Sequence, residues 1–131
     1  MSQQPAPSLT ELTSGGITAL VRPGDAANAI VFLHGIGSRA ASFAPLFERW
    51  QQGLMLLAWN APGYAGSQPL PEDWPSALDY AERLNSLLEQ QNLVSIDLVG
   101  HSLGCLIAGA FARRYPAKVR KLALLSPLQL W

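Results

Sequence analysis

Short, largely apolar runs recur along the chain with helix-like segments between them: Ile17 to Val21, Ala29 to Leu33, Leu54 to Trp59, Ser95 to Val99 and Val119 to Leu125. A strand that is apolar without strict alternation is buried on both faces, and such strands belong to parallel sheets whose connections cross over as helices. The intervening segments meet that requirement. Phe43 to Gln52 places Leu46, Phe47 and Trp50 at helical spacing, with Gly53 to end it. From Pro75 to about Gln91, Ala77/Leu78, Ala81, Leu84 and Leu87/Leu88 form one apolar stripe, with Asp79, Glu82, Arg83 and Glu89 opposite. Leu103 to Tyr115 is a third helix, stopped by Pro116. The pattern predicts an α/β fold, a predominantly parallel sheet with helices on both faces.

The Gln-, Pro- and Ser-rich start reads as a loose lead-in over residues 1–12, and residues 13–131 read as one domain with no repeat and no dividing linker. Arg22-Pro23-Gly24 is a turn signal, and Asn60 to Trp74 is a long Pro- and Gly-rich loop of the kind that borders functional sites. Hydrophobic residues make up 49% of the chain and charged residues 14%, a composition that builds a core. Nine Lys+Arg balance nine Asp+Glu, which disfavours nucleic acid and anionic membrane as partners. The single Cys105 forms no internal disulfide and is expected to pack as a small buried residue. The N-terminus lacks a signal-peptide pattern, and every apolar run is far shorter than the roughly 20 residues that span a bilayer. These features predict a cytoplasmic protein with no membrane span.

The chemistry concentrates between the Ser95–Val99 strand and the Leu103–Tyr115 helix. Gly100-His101-Ser102-Leu103-Gly104 fits the GxSxG pattern, in which a serine on a strained strand-to-helix turn projects its hydroxyl into solvent. The glycines are needed because side chains there would strike neighbouring backbone, and the helix N-terminus supplies N–H groups where an oxyanion would form. The bland alternative is a serine that merely occupies a turn. A rival site is Gly35-Ile36-Gly37-Ser38-Arg39-Ala40, which matches a GxGxxA dinucleotide fingerprint. That fingerprint wants a helix opening at once and an acid at the end of the next strand, where Trp59-Asn60 stands instead. Two histidines and one cysteine give no metal-ligand spacing, so neither a metal nor another cofactor is expected.

From about Thr13 to Pro127 the sequence resembles the α/β-hydrolase superfamily, nearest in flavour to small esterases, enol-lactonases and carbon-carbon hydrolases. Ala29–Leu33 followed by His34-Gly35-Ile36-Gly37 resembles the third strand and its oxyanion loop. Trp59 to Ser67 resembles the loop after the fourth strand, with Asn60 where Asp is common and Ala65 where Gly is common. Gly100 to Gly104 resembles the nucleophile elbow, and Lys121 to Pro127 the sixth strand. The resemblance implies Ser102 as nucleophile, the backbone N–H groups of Ile36 and Leu103 as oxyanion hole, and His34, Gly35, Gly37, Gly100, His101 and Gly104 as support. The substrate implied is a small carbonyl compound: an ester, thioester, lactone or relative.

The family's acid follows the sixth or seventh strand and its base histidine the eighth. After Ser102 this sequence has no Asp, Glu or His, and Ser126-Pro127-Leu128-Gln129 offers no ionised group for the early acid position. Neither upstream histidine replaces them: a neighbour of the elbow serine points to another side of the turn, and His34 belongs to the oxyanion loop. The resemblance therefore reaches only the N-terminal portion of the fold, truncated after about the sixth strand. A catalytically impaired hydrolase is expected, the alternative being a non-catalytic half-domain that binds a ligand or another chain. Val119 to Leu125 is then an apolar sheet edge open to self-association, blunted in part by Lys118, Arg120 and Lys121.

Overall fold

The computed structural model describes residues 8–126. One six-stranded sheet is built from β1 (Thr10–Ser14), β2 (Ile17–Arg22), β3 (Asp25–Leu33), β4 (Leu54–Trp59), β5 (Ile96–His101) and β6 (Val119–Leu125), in the order β1-β2-β4-β3-β5-β6. β1 and β2 pair antiparallel, β2 joins β4 antiparallel, and β4, β3, β5 and β6 run parallel. A 3-10 turn at Ala40–Phe43 leads into α1 (Ala44–Arg49), and α2 (Ala77–Gln90) and α3 (Leu103–Arg114) follow.

The central strands are buried on both faces, as their apolar runs require. Ala29, Val31 and Leu33 of β3 and Leu57 and Trp59 of β4 enter one core with α2 and α3, while Ile30, Phe32, Leu56 and Ala58 enter the other with Phe47 of α1. Successive residues thus alternate between two cores, the period-two geometry of a strand. Ala81, Leu84, Leu87 and Leu88 of the α2 stripe are buried, whereas Leu78 at its start is exposed. The mostly parallel sheet with helices on both faces is therefore observed.

Several expected boundaries shift for local reasons. Part of the lead-in is structured: Thr10, Glu11 and Leu12 pair with Val21, Leu20 and Ala19. Gly15 and Gly16 both take positive φ and close a two-residue hairpin, the conformation that type I′ turns demand. Residues 1–7 lie outside the described residues, as do Pro127, Leu128 and Gln129. The helix expected over Phe43–Gln52 is shorter, because Pro45 sits in its first turn and Trp50 turns to extended backbone. Leu46 on that helix is exposed while Phe47 is fully buried. The second helix begins after Pro75: Ser76 caps it, accepting from the Asp79 N–H while the Asp79 carboxylate accepts from the Ser76 N–H.

Arg22 belongs to β2 rather than to the turn that follows. Its guanidinium is buried and donates to the carbonyls of Phe47, Trp50, Gln51 and Leu54 at 2.6 to 3.0 Å. It collects carbonyls at and beyond the C-terminal end of α1, which that helix leaves unpaired. At the other side of the sheet β6 is the edge strand. Its Leu122, Leu124 and Leu125 are 41%, 44% and 53% exposed, the open apolar edge that the sequence led us to expect.

Candidate active site

The order of the sheet defines where a site can form. β3 lies between β4 and β5, so the chain leaves β3 toward one side and later returns to the other. The crevice outside the carboxyl ends of such strands is the usual ligand position in open α/β sheets. The segment after β3 and the turn after β5 meet there: a Cβ placed on Gly35 would stand 2.9 Å from the Cβ of Ser102.

Ser102 is the hinge between β5 and α3. It takes φ 55° and ψ −117°, a backbone conformation that a side chain makes costly by about 1–3 kcal/mol. Two close approaches hold the chain in that state. A Cβ on Gly100 would meet the Gly104 carbonyl oxygen at 2.6 Å, and one on Gly104 would overlap the Leu33 carbonyl of β3. Glycine at both positions lets α3 start directly against the sheet. The Ser102 N–H donates to the Leu125 carbonyl at 3.1 Å, and the Ser102 carbonyl accepts from the Cys105 N–H at 2.9 Å. Beneath the turn the buried Cys105 thiol points at the carbonyls of Gly100 and Leu125. It is a packed small residue, as expected.

His34 stands at the end of β3 and is buried. Its Nε2 accepts the Ala61 N–H at 3.0 Å, so the proton resides on Nδ1, which donates to the Gly35 carbonyl at 2.9 Å. Burial pushes its pKa below the ordinary imidazole value, the bond to Gly35 opposing only in part. The ring also meets Tyr64 edge-on at 4.9 Å. Both nitrogens are engaged, Nδ1 within the segment after β3 and Nε2 in tying that segment to the one after β4. His101 is exposed at the end of β5. Among the described residues no hydrogen bond joins either imidazole to the Ser102 hydroxyl.

Ile36 and Gly37 are exposed, with Gly37 at φ 75°. The segment turns through a Ser38 N–H to Gly35 carbonyl bond of 3.2 Å. Among the described residues, neither the Ile36 N–H nor the Leu103 N–H has a hydrogen-bond acceptor. The dinucleotide alternative fails here. No helix opens on Gly35 or Gly37, since the 3-10 turn starts at Ala40 and α1 at Ala44. Asn60, at the ribose position, is spoken for at both ends: its Oδ1 accepts from the Ala40 N–H and its Nδ2 donates to the Thr18 hydroxyl, each at 2.8 Å.

The Asn60 loop shows what the two departures from the family pattern do. Thr18, having accepted from Asn60, donates to the Ala65 carbonyl at 2.9 Å, and the Ser67 hydroxyl donates to the Asn60 carbonyl at 2.6 Å. Ala65 takes φ 43°, a left-handed conformation where glycine is at ease. Sequence reasoning missed the Leu125 carbonyl as the anchor of the elbow, because a backbone acceptor leaves no residue-type signal.

No group of three His, Cys, Asp or Glu among the described residues is placed to hold a metal ion, and no helix among them is long and apolar enough to cross a membrane. Comparison with known proteins places the architecture. A model of the alpha/beta hydrolase fold matches residues 28–131. The chain is 27% identical over 108 residues to a putative esterase/lipase 2 of Mycoplasma genitalium, covering 82% of this chain and 40% of that protein. It is 35% identical over 106 residues to the 2-(acetamidomethylene)succinate hydrolase of Mesorhizobium japonicum, covering 81% of this chain and 38% of that one. Among solved structures, Cfl2 of Burkholderia cenocepacia superposes with a TM-score of 0.77 at 26% identity, over 91% of this chain and 41% of that one. The chain thus spans about two-fifths of the length of these relatives. On the family match over most of its length, the chain belongs to the α/β-hydrolase fold family.

Proposed function

We propose that this chain is the nucleophile-bearing portion of a serine hydrolase that attacks esters, thioesters, lactones or related carbonyl compounds through Ser102. One observation carries the reading: a non-glycine residue with positive φ at the strand-to-helix bend, held there by glycines that admit no side chain. Strain of this kind persists where function needs it. The N–H groups of Ile36 and Leu103, which have no acceptor among the described residues, are the candidate oxyanion donors, and the esterase/lipase and hydrolase names among the relatives support the same class.

Among the described residues no imidazole is bonded to Ser102, and a serine hydroxyl without a neighbouring base is a weak nucleophile at neutral pH. The test is labelling with a fluorophosphonate probe with and without added imidazole, which supplies a general base from solution. Slow labelling that imidazole accelerates, absent in Ser102→Ala, is expected. Equal labelling of the two proteins removes Ser102 as nucleophile.

The exposed leucines of β6 favour a second reading, a non-catalytic half-domain that associates through its sheet edge. Sedimentation then gives a defined dimer that Leu124→Lys dissociates. A monomer at all concentrations excludes it.

A further inference from the structure

The carboxyl edge of the sheet carries a concavity that Ser102 does not line. It has a volume of about 390 Å³ and lies between the β1–β2 hairpin and the Ala40–Phe43 turn, reaching Asn60 and Ala65. That volume falls within the roughly 300–1,000 Å³ of small-molecule sites. Its floor follows from register. Residues directly opposite in an antiparallel pair share a face, and Glu11 opposes Leu20 while Thr13 opposes Thr18. Leu20 packs against the core on the α1 side, so Glu11 and Thr13 stand on that face as well. α1 places Phe47 in that core and leaves this corner to polar side chains. Arg39, just before the 3-10 turn, borders the concavity from the other side.

Glu11 and Arg39 are opposite charges on one groove, both exposed, and they lie beyond the 4.0 Å of an ion pair. Neither has another ion-pair partner among the described residues. Thr18 and Asn60, by contrast, are already bonded to each other. The groove thus offers one cationic and one anionic side chain, with Leu20 and Ala40, which pack together on the α1-side core, as its apolar floor. We propose that it binds a small zwitterion, with a carboxylate on Arg39, an ammonium group on Glu11 and a short carbon chain between them. This inference concerns a different surface from Ser102 and does not depend on the hydrolase reading.

The test is a titration of the isotope-labelled 131-residue chain at low salt, followed by amide shifts, with γ-aminobutyrate and its two single-charge analogues, butyrate and butylamine. Saturable shifts at Thr13, Ala40 and Ala41 are expected, with γ-aminobutyrate bound more tightly than either analogue. Arg39→Gln and Glu11→Gln, both surface changes, each weaken γ-aminobutyrate by about fivefold, the upper end for a partly exposed charge pair. Arg39→Gln also abolishes its preference over butylamine, and Glu11→Gln its preference over butyrate. Shifts that do not saturate, that fall elsewhere, or that are unchanged in both variants overturn the proposal.

Discussion

The two ends of the sheet are held by opposite means. At the carboxyl end, the turn at Ser102 exists because Gly100 and Gly104 present no side chain, so that α3 and β3 can touch backbone to backbone. At the amino end, the corner between β2, α1 and β4 exists because Arg22 presents a long one, reaching four carbonyls. One end is specified by absence, with no side chain between helix and strand. The other is specified by a charged group that fills space and satisfies carbonyls that α1 and the turn after it leave unpaired. The difference teaches that a site can be rigid without being crowded, provided its supports lie beneath the chain and not beside it.

The comparison breaks most sharply at Gly104. A methyl group there overlaps the Leu33 carbonyl, and backbone cannot yield as a flexible side chain can. Gly104→Ala is expected to cost about 3 kcal/mol or more, since the strain of overpacking falls on main chain. Denaturant unfolding checks the loss, and a change at Gly104 below 0.5 kcal/mol, on the order expected of an ordinary surface substitution, contradicts the close-packed picture. Arg22→Met is next. It keeps most of the stem's packing but leaves four carbonyls without their donor, for about 2–3 kcal/mol. Arg22→Lys restores only part of this, because one ammonium cannot match the planar fork that reaches four acceptors.

These two supports differ as much in legibility as in chemistry. The elbow is local: five consecutive residues between an apolar strand and a helix, whose two glycines are needed for a steric reason that residue type reveals. The Arg22 corner joins a side chain to backbone oxygens 25 to 32 residues away, and carbonyls carry no signature in a sequence. The same limit hid the Leu125 carbonyl behind Ser102. β1 is a different case. Its alternation is short, but Gly15-Gly16 between two runs is a hairpin signal, and the polar composition of the first residues obscured it. Gly53 marks a stop for a helix over Phe43–Gln52, but Pro45 in the first turn and the extended Trp50 confine α1 to Ala44–Arg49.

His34 sharpens the contrast by pH. It links the carboxyl-end segments only while Nε2 is free to accept from Ala61. Burial holds its pKa below the 6.5 of an accessible imidazole, so the unfolded chain takes up a proton more readily than the folded one. Stability is then fully present above about pH 7 and declines as the pH falls through 6.5 toward the lower folded value. The loss is on the order of 1 kcal/mol for each unit by which the two pKa values differ. Unfolding of the native chain and of His34→Gln, compared between pH 7.5 and 5.5, checks it. The variant is expected to lose the slope in this window, and an unchanged slope assigns the dependence to other groups.

The smallest expected effect lies at Ala65, where the loop after β4 departs from its glycine-rich pattern. With φ at 43°, an L-residue there carries a penalty of about 1–2 kcal/mol that glycine does not. Glycine in turn gives the unfolded chain more freedom, which takes back about 0.4–1 kcal/mol. Ala65→Gly should therefore raise stability by about 0.5 kcal/mol, without disturbing the Thr18 bond to the carbonyl of residue 65, since that acceptor is backbone. The sign matters more than the size. A gain means that the loop holds its conformation against local preference, through Thr18, Asn60 and Ser67, as the elbow does through Gly100 and Gly104. A loss means that the methyl group of Ala65 contributes packing worth more than its strain, and that strain borne by neighbouring backbone is peculiar to Ser102.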